Sequence, residues 1–418
     1  MEAVFNLIGS GLALVGTINY LRQLQQIVAI APRVTVPSQQ PELSQVSTAG
    51  GPIPPTSEAS VAVIIPAYNE AINIRDCMIA ALAACDWPAN RYQVWVIDDQ
   101  STDNTLAIAQ AVEVELSDPR LHLLSGCPPP SGVVWVGKNW ACAQGAAQAQ
   151  GSYLLFLDAD MRLKPGSIKA ALQTTEQACI DLLSCCPANE CGSLAEWLVQ
   201  PLVFAILAVG FRFDQVNDPT NELAFATGQF MLFRRSAYDQ IGGHQSVASQ
   251  PVEDVALARR IQRSGLNLTY TLGHDLASVR MYSSWTALWE GWTKNWYLGS
   301  NRNGSAMLQL VGLVLLVCTL PWIELVQEVV KACFMPLHTL EWFNFGIAAV
   351  TVALHYRLRQ LAQQISALST RYWWLTGLGG LLIAAIAIAS VIKTETGWGW
   401  TWRGRSLQLP VIDDSVND

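Results

Sequence analysis

Charge is scarce in this chain of 418 residues. Asp, Glu, Lys and Arg make up only 14% of it, against about 25% in an ordinary soluble domain. An excess of positive charge is missing altogether. The 25 Lys and Arg face 33 Asp and Glu, a net charge of −8, so no nucleic-acid partner is expected. The ten cysteines contain no C-x-x-C pair. Neither a zinc site nor a disulfide framework is written into such spacing, and reduced thiols facing a cytosol are the expectation. No internal repeat is visible. What remains is apolar: 51% of residues are hydrophobic and the mean hydropathy is +0.26. That balance excludes wholesale disorder and points to membrane segments.

The charge is also unevenly placed. Residues 1–58 carry two Arg against three Glu, and residues 300–418 carry eight basic against seven acidic residues. The acidic surplus therefore lies in the middle, as in a soluble domain held between membrane anchors. Residues 3–21 are long and apolar enough to cross a bilayer. No basic stretch precedes them and no small-residue cleavage site follows, so 1–31 reads as a retained anchor rather than a signal peptide. Arg22 and Arg33 follow the run, which places the succeeding chain in the cytoplasm by the positive-inside rule. Residues 32–58, rich in Pro, Ser, Thr and Gln, read as a disordered linker. Further on, 306–326 and 373–392 are spanning candidates, while 342–355 is shorter and is followed by Arg357, Arg359 and Arg371. The expected organisation is a multi-pass integral membrane protein: anchor 1–31, linker 32–58, cytoplasmic catalytic domain 59–300, transmembrane region 301–395 and tail 396–418.

The middle alternates strand and helix patterns. VAVIIPAYNE from Val61, VWVID (94–98), LHLL (121–124) and YLLFLDAD (153–160) read as strands, with helices near 70–85 and 104–116. The class is α/β with a mostly parallel sheet, whose ligand site lies beyond the carboxyl ends of the strands. Three strands end there in polar or acidic residues: Asn69-Glu70, Asp98-Asp99 and Asp158-Ala159-Asp160. Buried carboxylates are costly without a cation. In an extended segment Asp158 and Asp160 share one side, and two hard oxygens suit Mg²⁺ or Mn²⁺ bridging phosphate oxygens.

VIIPAYNE (63–70), VIDDQSTDNT (96–105), FLDAD (156–160) and Glu253-Asp254, in this order, resemble glycosyltransferase family 2, the inverting enzymes of GT-A fold. The likeness covers about residues 61–300. VWVGKNWACAQGA (134–146), ATGQFMLFRRSAYDQIGGH (226–244) and VEDVALARRIQRSG (252–265) resemble the membrane members associated with bacterial carotenoids and hopanoids. The resemblance implies that Pro66, Ala67, Asn69 and Glu70 line the nucleotide pocket and that Asp99 contacts the base or ribose. It sets Lys138 near the diphosphate, gives Asp158 to the donor and Asp160 to the metal, and makes Asp254 the catalytic base. Gly228, Gln229, His244 and Glu253 would face the donor sugar and acceptor, with Trp292 and Trp296 nearby. The donor would be a nucleotide sugar, a UDP-sugar first. The Q-x-x-R-W stretch of polymer-extruding relatives is missing; the corresponding Trp292–Trp296 lacks its Gln and Arg. That favours one sugar passed to a discrete lipophilic hydroxyl, on a carotenoid or a hopanoid-type lipid. A polysaccharide or polyprenyl-phosphate glycosyltransferase is the alternative, and an inactive membrane scaffold is the non-enzyme reading.

Two apolar features bear on the acceptor. Residues 194–213 cannot cross the bilayer once, because Asp160 precedes and Asp254 follows them in one site. They read as an interfacial element or as a core helix. Trp285, Trp289, Trp292 and Trp296 fall within about 60° on a helical wheel. They read as a face docked on the membrane or as a core ridge.

Overall fold

The computed structural model describes residues 2–36, 59–399, 401–402 and 405–406. The chain divides into an α/β unit, Ala31–Ala188 with Phe213–Val279, and a helical unit, Met1–Ile30, Asn189–Arg212 and Arg280–Asp418.

The α/β unit is built on seven strands: β1 (Val61–Ala67), β2 (Tyr92–Asp98), β3 (Leu121–Ser125), β4 (Tyr153–Leu157), β5 (Leu182–Cys186), β6 (Phe230–Arg234) and β7 (Leu268–Leu272). Their order across the sheet is β3-β2-β1-β4-β6-β5-β7. β6 runs antiparallel to β4 and β5, and all other neighbours are parallel. β1 and β4 are buried along their whole length, as strands covered on both faces must be. The order reverses at β1: the chain winds outward through β2 and β3, then returns with β4 on the other side. The crevice at such a reversal, at the carboxyl ends of β1 and β4, is where ligands bind in sheets of this kind. A short antiparallel pair, Met161–Leu163 with Ala277–Val279, follows β4 and pins the turn that carries Asp158 and Asp160.

Residues 37–58 of the expected linker lie outside the described residues. Its first residues are part of the sheet. Leu272 N–H donates to Pro32 O (2.9 Å) and Val34 N–H to Leu272 O (3.0 Å), so this short segment runs along the outer edge of β7.

Among the described residues, three helices of the helical unit are long and apolar enough to cross a membrane: Ala3–Ile30, Gly304–Phe334 and Trp373–Thr396. The helix Leu194–Gly210 is a packed member of the unit, not an interfacial element. Val199 to Ala205 are all buried, and a Cβ on Gly379 would stand 2.4 Å from Leu198 O, so the two backbones touch. The expected tryptophan face divides. Trp292 and Trp296, on the helix Trp285–Gly299, are buried, while Trp285 is 43% exposed. Trp292 Nε1 donates to Gln200 Oε1 at 2.7 Å, and Ser390 Oγ fastens the helix through Thr293 O (2.6 Å) and Tyr297 N (3.0 Å). A face of four tryptophans lying together on the bilayer is thus corrected: its lower half is core, because the helices behind it offer both apolar surface and a polar partner for the indole. None of the ten cysteines is in a disulfide.

Candidate active site

The turn after β1 and the turn after β2 are knitted into one surface. Asn69 and Gln100 both adopt left-handed backbone, with φ of 54° and 60°. Asn tolerates that region because its short side chain bonds locally; here Asn69 Oδ1 accepts from Thr102 N at 2.9 Å. Asn69 N–H donates to Ser101 Oγ (3.0 Å), Glu70 N–H to Thr105 Oγ1 (2.7 Å) and Ala71 N–H to Asp103 Oδ2 (3.2 Å). Asp99 N–H donates to Ala67 O at 2.8 Å. The bonds hold Glu70 and Asp99, both buried, at the ends of adjacent strands, beyond buried Pro66 and Ala67. Sequence reasoning picked out the acids and missed Ser101, Thr102, Asp103 and Thr105. Their signal was present in the S-T-D-x-T spacing, which suits side chains that bond backbone N–H groups at a helix start.

Asp158 and Asp160 stand in a turn, not in extended backbone, with Met161 N–H donating to Asp158 O (3.1 Å). The period-two argument for their common side therefore does not describe them. Asp158 pairs with Lys138. Lys138 Nζ lies 3.1 Å from Glu253 Oε1 and donates to Gly228 O at 3.3 Å. Gly228 N–H donates to Asp254 Oδ2 at 2.8 Å, and Val255 N–H to Asp254 Oδ1 at 2.8 Å. Gly228 thus lies among three charged groups, Lys138, Glu253 and Asp254, with Asp158 joined through Lys138. A Cβ there would stand 2.9 Å from Lys138 Nζ, 3.2 Å from Glu253 Oε1 and 3.3 Å from Asp254 Oδ2. Gln229 contributes its backbone, whose carbonyl accepts from Asp158 N–H at 3.3 Å; its side chain is buried.

Electrostatics sharpen the cluster. Burial pulls the Lys138 ammonium down, but the Asp158 and Glu253 carboxylates outweigh it and hold its pKa well above the usual lysine value. Burial, and then the adjoining Glu253 carboxylate, pushes Asp254 up to about 6 against the pull of Lys138 and two backbone N–H donors. Asp254 sits in the first turn of the helix Glu253–Arg263, where the macrodipole favours its ionised form.

His244 departs from its expected place facing the sugar. It is 1% exposed, its Nδ1 meets Tyr238 Oη at 2.9 Å, and its ring lies 4.4 Å from that of Phe156. Burial lowers its pKa to about 3, so it is a neutral core residue beneath the site. Trp292 and Trp296 belong to the helical unit.

Among the described residues no three His, Cys, Asp or Glu side chains converge as a protein-only metal site requires. A divalent ion of the Mg²⁺ type takes one or two carboxylates and completes its shell with phosphate oxygens and water. The residues fit that mode. Lys138 engages Asp158, and Asp160 stands half-buried two residues on in the same turn.

A mixed sheet of this order, with acids at the carboxyl ends of β1, β2 and β4 and a further acidic pair opening a helix, defines the GT-A class of nucleotide-diphospho-sugar transferases. The family model described as "Glycosyl transferase family 2" matches residues 62–242, and that described as "Glycosyl transferase family group 2" matches residues 153–388, more than half of the chain. The chain belongs to the family 2 glycosyltransferases. It is 27% identical over 262 residues to a 4,4'-diaponeurosporenoate glycosyltransferase of Staphylococcus haemolyticus, covering 62% of this chain and 67% of that protein. It is 28% identical over 120 residues to an undecaprenyl-phosphate 4-deoxy-4-formamido-L-arabinose transferase of Shewanella sediminis, covering 28% of this chain and 33% of that one. A beta-monoglucosyldiacylglycerol synthase of Synechocystis is 26% identical over 183 residues, with 44% of this chain and 36% of that protein covered. The chain thus spans two thirds of the first relative's length and about a third of the other two. In fold it resembles the mannosyltransferase PcManGT of Pyrobaculum calidifontis, solved with GDP-Man and Mn²⁺. The TM-score is 0.51 at 15% identity, over 95% of this chain and 100% of that one.

Proposed function

We propose that this protein transfers one sugar, with inversion, from a nucleotide diphosphate sugar to a hydroxyl of a lipophilic acceptor in the bilayer, a carotenoid or hopanoid-type lipid. The observation that carries the reading is the cluster in which Lys138, Glu253 and Asp254 meet at Gly228 and Asp158 pairs with Lys138. The Asp254 carboxylate takes the acceptor's proton as the acceptor oxygen bonds to the anomeric carbon. The bond from that carbon to the diphosphate oxygen breaks, and its electron pair leaves with the diphosphate. A base with a pKa of about 6 is well matched to neutral pH. Lys138 offsets the charge that develops on the leaving group. Glu70 and Asp99 close the nucleotide end, a uridine diphosphate sugar being the first candidate. Bound at Asp160, Mg²⁺ or Mn²⁺ would supply Lewis-acid charge to the diphosphate.

The lipophilic acceptor rests on the three long apolar helices and on relatives named for a carotenoid acid, a diacylglycerol and a polyprenyl phosphate. The polyprenyl-phosphate relatives keep a second acceptor class in view. In this reading the α/β unit faces the cytoplasm, supported by Arg22 and Arg33 after the first apolar run and the positive-inside rule.

The test combines two measurements. Lipid and pigment profiles after deletion of the gene should lose one glycosylated species. Purified protein in detergent should restore that species from a nucleotide sugar, and should fail with Asp160→Ala or excess chelator. Release of nucleotide diphosphate with no glycosylated lipid lost in the deletion would sink the acceptor assignment. No turnover of any nucleotide sugar would leave the scaffold reading.

A further inference from the structure

Asn139 stands beside the cluster just described. It is fully buried and opens the helix Asn139–Gln148, directly after Lys138. Its side-chain amide Nδ2 donates to three backbone carbonyls far along the chain: Val247 O at 2.9 Å, Ala248 O at 3.1 Å and Gln250 O at 3.0 Å. Val136 N–H adds a fourth link, to Ala248 O at 2.8 Å. The held segment, 247–250, ends three residues before Glu253 and four before Asp254. The backbone that carries the cation is therefore fastened to the backbone that carries the acid pair. On the other side, Gly137 has a φ of 58° and nothing within 4 Å of its would-be Cβ, so no packing from that residue holds Lys138. An ammonium on a four-carbon stem has many rotamers. Three amide bonds at its root restrict where it starts.

We propose that Asn139 is a positioning residue: by tying the 136–139 turn to residues 247–250, it sets Lys138 over Gly228, in register with Asp254. Asn139 touches neither donor nor acceptor and acts through Lys138. The inference rests on the glycosyl-transfer reading of the site, in which Lys138 meets the diphosphate. An Asn side chain suits the task because its NH₂ group carries two donor hydrogens, which the three converging carbonyls divide by sharing one of them. A displacement of about 1 Å at such a root costs about 100-fold in turnover.

The experiment uses the full chain in detergent and two readouts. Binding of UDP in Mn²⁺ is followed by calorimetry, and sugar transfer by product formation, for wild type, Lys138→Met, Asn139→Ala and the double variant. Asn139→Ala should weaken UDP binding about as much as Lys138→Met. The double variant should bind within about threefold of Lys138→Met alone, because two changes that act through one contact do not add. Turnover in Asn139→Ala should fall about 100-fold. Where the alanine variant does not fold, Asn139→Ser keeps one hydroxyl donor and should give an intermediate loss. Wild-type UDP binding and turnover in a folded Asn139→Ala or Asn139→Ser variant overturns the proposal. So does full additivity with Lys138→Met, which would make Asn139 a support of the fold alone. Failure of the wild type itself to bind UDP or turn over any donor would instead be failure of the transferase reading.

Discussion

Gly228 and Asp254 show how closely the residues of the site are fitted. The Gly228→Ala methyl would meet the end of a flexible lysine side chain first, at 2.9 Å from Nζ. The chain can fold around it by moving Lys138. The expected outcome is a melting temperature near that of wild type with turnover lower by about 100-fold, the cost of a misplaced group; equal turnover would show that the position tolerates a side chain. Asp254 makes a prediction with two signs. Its pKa of about 6 means that kcat/KM should fall as pH drops through 6, and Asp254→Asn should be slow at all pH, by about 10²–10⁴-fold. The same shift lies above the unfolded value, so the native carboxylate costs stability above pH 6 and ceases to do so as it protonates. Asp254→Asn should therefore melt higher than wild type at pH 8, with the gap closing toward pH 4. Glu70, Asp99, Asp158 and Asp160 were legible because each stands where an apolar run stops, whereas Glu253 and Asp254 stood out only through the resemblance to the family. Asn139 was not legible: its partners are backbone atoms more than a hundred residues away, and composition carries no trace of such bonds. The Ser101–Thr105 hydroxyls left only a spacing as their signal.

Elements were readable where apolar residues run together in the sequence, not simply where they are buried: β3 is largely half-buried, whereas β5 is buried throughout. β1, β2, β3 and β4 each open a visible apolar run, and the helices 74–83 and 105–116 fall inside the expected stretches. β5, β6 and β7 went unread for different reasons. LLSCC and LTYTL mix small or polar residues into five-residue strands, and FMLFR passes straight into a helix at Arg235. The helix 285–299 teaches the converse. Its tryptophan spacing defined a face, but spacing cannot say what covers it. The two halves should respond differently to substitution. Trp292→Ala removes a buried indole and leaves Gln200 without its donor, and should cost about 3–5 kcal/mol of stability, read as a lowered melting temperature in detergent. Trp285→Ser should leave melting within about 0.5 kcal/mol of wild type. Equal losses at both positions would mean that the whole face is core.

On the scale of the whole molecule, the chain leaves the helical unit and enters the α/β unit twice. Residues 31–188 and 213–279 come together as one sheet only because 189–212 turns back. Hydropathy alone made 194–213 a marginal crossing; the need to bring Asp160 and Asp254 to one site argued against it, and that argument used no coordinates. The contact of residues 32–36 with β7 has a consequence for how the protein can be dissected. β7 ends the sheet, and an unprotected terminal strand invites pairing with a second chain. Pro32 and Val34 occupy that rim at Leu272, with Thr271 Oγ1 also donating to Pro32 O at 2.8 Å. In detergent, the full chain should elute from a sizing column as smaller species than one in which Pro32–Val34 is replaced by a Gly-Ser stretch, which should self-associate; identical elution would mean that the rim needs no cover. The residues that lead away from the first helix therefore act as a guard against cross-pairing, and the catalytic unit properly starts at its own selvedge.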